Sequence, residues 1–186
     1  MTLGLFTKPG TNRSAVAKRI GALCLLLLFG LLQLSGSLGL RINTSPSLPV
    51  GLYITTVDPK SRLVEFCPPE PYARFAIARG YRDAGNCADG AAPLLKPVIA
   101  EAGDVVEVST SGLIVNGQPV PNTAAVHTDT KGRPLPPWPS GHYKVEAGTI
   151  WVASSYNSRS FDSRYFGPIA AWTIRDRVRP LITGGK

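Results

Sequence analysis

The 186-residue sequence predicts a mainly β protein: an antiparallel sheet or barrel behind one N-terminal transmembrane helix. Three observations predict it. Short runs rich in β-branched and aromatic residues recur after residue 50, separated by turn residues. With 19 Gly and 17 Pro, the chain has too many breaks for a helical bundle and too few for a disordered or collagen-like chain. One uncharged apolar stretch, Ile20–Leu40, stands apart from the rest.

The N-terminal part comes first. Residues 1–57 contain no Asp or Glu, and their cations are Lys8, Arg13, Lys18, Arg19 and Arg41. Ile20–Leu40 would rise about 30 Å as a helix, the thickness of a bilayer core. The competing reading is a cleaved secretory signal, with a basic start, an apolar run and small residues near Ser35–Gly39. Both readings keep the N-terminus inside, because four cations precede the stretch and only Arg41 follows closely. The expected organisation is a basic cytoplasmic tail (1–19), an inner-membrane anchor (20–40) and an exported, periplasmic domain (41–186). The net charge of +8 and pI near 9.7 invite a nucleic-acid reading. Beyond residue 40, however, 16 of the 20 cations face all 12 anions, so half the excess lies on the tail. Charge is then a topology signal, and nucleic acid is not an expected partner.

In the exported part the expected strands are Val50–Thr56, Leu63–Phe66, Val105–Val108, Leu113–Val115, Gln118–Val120, Ile150–Ala153 and Trp172–Val178. Asn116-Gly117 is a tight-turn dipeptide between two of them. Arg74–Arg82 reads as a short helix. Pro134–Pro139 (PLPPWP) suits neither a helix nor a central strand and reads as a rigid surface loop.

Cys67 and Cys87 are the two exported cysteines. In an oxidising compartment they form a disulfide, against the alternative of two buried thiols. Cys24, inside the apolar run, is a small membrane residue. Neither CxxC nor HExxH occurs, so no metal site is expected. No phosphate-cradling glycine loop and no other cofactor motif is present. GxSxG is absent and His127 and His142 sit in loop-like surroundings, which argues against a Ser-His-Asp hydrolase. Lys96 is different, because Leu94, Leu95, Pro97, Val98 and Ile99 surround it. Desolvation there lowers an amine pKa, and a neutral amine can take a proton from a serine hydroxyl. The plainer alternative is a strand-end lysine whose stem packs while its ammonium reaches water.

Three segments together resemble the signal peptidase I family of Ser/Lys membrane peptidases, and most closely its conjugative-transfer branch, the TraF type. Asn43-Thr44-Ser45-Pro46-Ser47-Leu48-Pro49-Val50-Gly51-Leu52-Tyr53 is similar to that branch's nucleophile box. The Lys96 segment, with Gly103-Asp104 and Val115-Asn116-Gly117, is similar to the lysine box and its hairpin. Asn157 to Ile169 (NSRSFDSRYFGPI) is similar to the last box. The resemblance implies that Ser47 is the nucleophile and Lys96 the general base. It implies that the Ser45 hydroxyl and the Ser47 amide form an oxyanion hole. Ser160 would orient the lysine, Asp162 and Arg164 would form a structural ion pair, and Gly167 and Pro168 would shape the backbone. A periplasmic Cys67–Cys87 disulfide also suits the TraF type.

Some positions depart from the family pattern. Leu48 follows the nucleophile where many members have Met, and Pro49 comes second where Pro usually comes third. Lys96-Pro97 replaces the usual Lys-Arg pair, and Ser61-Arg62 stands where Gly-Asp is expected. The implied reaction is cleavage of an exported preprotein through an acyl-enzyme, with a conjugative pilin precursor as the specific expectation. Circularisation of the product by an amine is also compatible. A general leader peptidase and a non-catalytic envelope module are the alternatives. The sequence does not define an oligomeric state.

Overall fold

The computed structural model describes residues 13–184. The expected basic tail therefore lies largely outside the described residues. The chain divides into two compact units, Met1–Gly39 and Leu40–Lys186. The first contains helix α1, Arg13–Ser37. Among the described residues no helix is long and apolar enough to cross a membrane. The side chains of 27–29 and 31–37, within the expected Ile20–Leu40 anchor, are outside that description.

The second unit is mainly antiparallel β. A seven-stranded sheet has the order β1-β2-β11-β3-β4-β9-β10. Its strands are β1 (Leu40–Asn43), β2 (Gly51–Thr56), β3 (Leu63–Phe66), β4 (Leu94–Ala100), β9 (Thr149–Val152), β10 (Ile169–Ala170) and β11 (Ile174–Thr183). A four-stranded sheet, β7-β6-β5-β8, combines β5 (Val105–Ser109), β6 (Gly112–Val115), β7 (Gln118–Pro119) and β8 (Gly141–Lys144). Short helices α2 (Tyr72–Ala78) and α3 (Ser163–Phe166) complete the unit.

Alternating side-chain faces explain the core. Val64, Phe66, Val98 and Val152 point inward from β3, β4 and β9, against Phe161, Phe166 and Ile169. A second cluster joins the sheets, with Trp151 and Ala100 packed on Val106, Val108 and Leu113. Asn116 and Gly117 both have positive φ, 51° and 78°, which is the type I′ geometry that folds β6 onto β7.

Several expectations need correction. The helix begins at Tyr72 and ends at Ala78, short of Arg82. His142 is in β8, opposite Glu107 of β5, and not in a loop. The Pro-rich stretch is irregular but is not simply surface. Leu135 is buried in the core, and the Trp138 amide donates to the Arg164 carbonyl at 2.7 Å. The Trp138 ring also requires Gly167, where an added Cβ would fall 2.6 Å from it at a φ of 69°. Cys67 and Cys87 form a disulfide that closes a loop of about 20 residues, which contributes roughly 3 kcal/mol through lost chain entropy.

Candidate active site

Ser47 lies in the turn between β1 and β2, and one side chain shapes that turn. Asn43, buried at the end of β1, accepts the Ser45 amide at its Oδ1 (3.2 Å), forming a side-chain turn of the kind Asn favours. Its Nδ2 donates to the carbonyls of Ser45, Leu48 and Pro49 at 3.0, 3.3 and 3.1 Å. The Tyr53 hydroxyl also donates to the Pro49 carbonyl, at 2.7 Å. These bonds close the turn and turn the Ser47 side chain inward, where the residue is only 4% exposed.

Lys96 approaches from β4. Pairing of β4 with β3 sets Lys96 opposite Val64, on the core-facing side of the sheet. The residue is 3% exposed, and its Nζ donates to Ser47 Oγ at 2.6 Å. Burial lowers its pKa from 10.5 to about 8. The charge of Asp162 pulls the value back up and that of Arg164 pushes it down.

Ser45 Oγ lies 2.9 Å from Ser47 Oγ and accepts the Ser47 amide at 3.4 Å. Asp162 and Arg164 form a fully buried two-pronged pair, Nε to Oδ1 at 2.8 Å and an η nitrogen to Oδ2 at 2.7 Å. Arg164 also donates to the carbonyls of Asn122, Ser158, Ser154 and Asn157. Buried ionic groups persist when every donor is satisfied in this way. Ser160 is buried, yet its Oγ has no hydrogen-bond partner among the described residues. It makes no bond to Lys96 in this structure.

Ser154 was not expected from the sequence. It is fully buried just after β9. Its amide donates to Asp162 Oδ2 at 3.0 Å, and its hydroxyl donates to the Ser47 carbonyl. The ion pair is thereby tied to the backbone of Ser47. No motif announced this, because a serine after a strand is ordinary. Asn43 had a signal in its Asn-x-Ser spacing, which a single sequence leaves ambiguous with any surface turn.

Chemically, the arrangement can hold a serine hydroxyl against a readily deprotonated amine, with neighbouring donors for a developing negative charge. Among the described residues no group of His, Cys, Asp and Glu could hold a metal ion. A profile described as signal peptidase, peptidase S26, matches residues 13–182. The chain belongs to the signal peptidase family S26. Within it, the relatives are conjugal transfer proteins of the TraF type. The plasmid transfer protein TraF of Escherichia coli is 41% identical over 148 residues, covering 78% of this chain and 83% of that protein. The probable conjugal transfer protein TraF of Sinorhizobium fredii is 45% identical over 150 residues, covering 78% of each. A crystal structure of a signal peptidase I from Enterococcus faecalis aligns with 66% of this chain and 97% of its own, at 17% identity and a TM-score of 0.37.

Proposed function

We propose that the chain is a membrane-anchored serine endopeptidase that uses Ser47 and Lys96 to cleave an exported preprotein, specifically a conjugative pilin precursor. The observation that carries this reading is the 2.6 Å contact between Lys96 Nζ and Ser47 Oγ, made by a buried amine whose pKa is lowered to about 8. Neutral Lys96 takes the Ser47 proton as Oγ attacks the scissile carbonyl. The Ser47 amide and the Ser45 hydroxyl, bonded to each other in this structure, turn to the oxyanion as it forms. The lysine ammonium then gives its proton to the leaving amine, and neutral Lys96 later activates water or a second amine. Resolution by water gives a linear product, and resolution by the pilin's own amine gives a circular one.

Strand pairing supports an extended substrate. β9 pairs with Val98 and Ala100 of β4, and Leu94–Lys96 have no β9 partner. A peptide can add there as a strand. A cavity of about 230 Å³ is lined by Asn43, Ser45, Leu94 and Leu95, with the paired Arg41 and Glu65 on its wall. The uncharged Ile20–Leu40 stretch supports a single-pass anchor in the inner membrane, with residues 41–186 in the periplasm. Ser47 lies only seven residues beyond Leu40 in sequence, so the anchored site works close to the membrane.

The test is cleavage of a candidate pilin precursor in membranes carrying the wild-type chain or Ser47→Ala. The wild type is expected to release a shortened product and Ser47→Ala none. Product mass separates the linear form from the circular one, which is lighter by one water. Equal processing by both chains would sink the proposal.

A further inference from the structure

Ser45 and Lys96 line two different cavities. Ser45 lines the one walled also by Asn43, Leu94 and Leu95. Lys96 lines the other, a pocket of about 210 Å³ walled by Tyr81, Leu94, Asp129, Arg159 and Phe161 among others. On the peptidase reading, on which this inference rests, Lys96 hands its proton to the departing amine. The pocket that Lys96 lines is therefore the candidate for the leaving segment.

The polar wall of that pocket is already partly spent. Asp129 is buried and both its oxygens are occupied. Oδ2 accepts from the Tyr81 hydroxyl at 2.7 Å and Arg133 Nε at 2.6 Å, with an Arg79 guanidinium nitrogen at 3.5 Å. Oδ1 accepts the amides of Lys131 and Arg133 at 2.9 and 3.0 Å. Asp129 has nothing left to offer a substrate cation, and its single negative charge faces two guanidinium groups. Arg159 adds a third. Its guanidinium donates to the Thr128 carbonyl at 3.1 Å, and among the described residues no carboxylate lies within ion-pair distance of it. The pocket thus has an exposed guanidinium free to pair, an apolar lining from Leu94 and Phe161 for a short aliphatic stem, and a net positive surround. Guanidinium binds carboxylate in a two-pronged, charge-assisted fashion.

We propose that this pocket binds a carboxylate of the leaving segment, held by Arg159. The carboxylate is either an Asp or Glu side chain just after the scissile bond or the free C-terminus of a short leaving segment.

The test uses the full chain in detergent and a set of synthetic peptides. Each carries small residues before the scissile bond and Glu, Gln or Lys at one of the first three positions after it, with a free or amidated C-terminus. Cleavage efficiency, kcat/KM, is expected to favour Glu over Gln about tenfold at one position, or the free acid over the amide by the same factor. Which of the two contrasts appears identifies the source of the carboxylate. The preference is expected to fall to about one in Arg159→Gln and to persist in Arg74→Gln, which removes an exposed cation elsewhere. Binding of the same peptides to Ser47→Ala, followed by fluorescence anisotropy, separates the two readings. Cleavage with equal efficiency for Glu, Gln, Lys, acid and amide forms overturns the carboxylate site and leaves the peptidase reading standing. Arg159-dependent preference in binding without any cleavage by the wild type does the reverse. A preference that survives Arg159→Gln also overturns the site as proposed, and neither cleavage nor selective binding overturns both.

Discussion

Lys96 Nζ donates to Ser47 Oγ at 2.6 Å although 49 residues separate the two in sequence. One sits in a tight turn and the other on an inner strand, so the contact exists only in the folded domain. A lysine so placed works as a base only when neutral. Lys96→Arg keeps a cation of similar reach but cannot lose its proton. It is expected to be as inactive as Lys96→Ala, with kcat lower by about 10²–10⁴-fold, the usual contribution of a general base. Single-turnover cleavage of the precursor measures it, and substantial activity in the Arg variant would refute the pair.

The pH dependence has a definite sign. With a pKa of about 8 in the folded chain, Lys96 is mostly protonated below that pH. The rate is expected to fall about tenfold per pH unit below 8 and to level off above it. A flat profile from pH 6 to 10 would contradict a neutral amine base.

The same shift has a cost in stability. The folded pKa of Lys96 lies below the ordinary 10.5, so between about 8 and 10.5 the unfolded chain binds a proton the folded one does not. Stability therefore rises with pH across that window. Below pH 8 the buried ammonium costs about 3 kcal/mol, at roughly 1.4 kcal/mol per pKa unit. Lys96→Met is expected to raise the unfolding free energy at pH 7 by an amount of that order, less the lost bond to Ser47. The gain should fade above about pH 10.5. Denaturant melts of both chains at pH 7 and pH 11 test this, and an equal difference at both values would contradict it.

Much of this was legible in the sequence, for identifiable reasons. Leu63–Phe66 and the Asn116-Gly117 turn were readable because alternation and turn chemistry are local. β4 was harder to read as a strand. Pro97 interrupts it, and its apolar run hides the alternation of the fold, in which Lys96, Val98 and Ala100 are buried and Leu95, Pro97 and Ile99 only partly so. The predicted Cys67–Cys87 bond formed, and Ser160, expected to help orient Lys96, has no hydrogen-bond partner for its Oγ among the described residues. Ser154 was invisible because its partners, Ser47 and Asp162, meet only when β9 packs beside the β1–β2 turn.

Ser154 gives the next expectation. Its hydroxyl fixes the Ser47 carbonyl, so it acts through the nucleophile's backbone as a positioning residue. Ser154→Ala leaves that carbonyl and the amides of Tyr156 and Asn157 without this partner. The expected result is a fall in kcat of about ten- to a hundredfold with KM nearly unchanged, since small displacements at a reacting centre are costly. A change confined to KM would instead place Ser154 in substrate binding.

The Asp162–Arg164 pair makes the last prediction, and here the direction depends on which partners remain. Both side chains are fully buried, and burial alone would lower the Arg164 pKa. The Asp162 carboxylate more than offsets this and raises it. Asp162→Asn keeps the shape but strands the guanidinium charge. Breaking one half of a buried pair costs about 3–5 kcal/mol. It also removes the carboxylate that raises the Lys96 pKa, so the activity profile should move to lower pH, the reverse of a general loss. Asp162→Asn is thus expected to melt at clearly lower temperature while its remaining activity reaches half-maximum below pH 8. Thermal melts and a pH–rate profile of the same preparation measure the two effects. A profile that stays at the wild-type position would show that Asp162 does not act on Lys96 electrostatically.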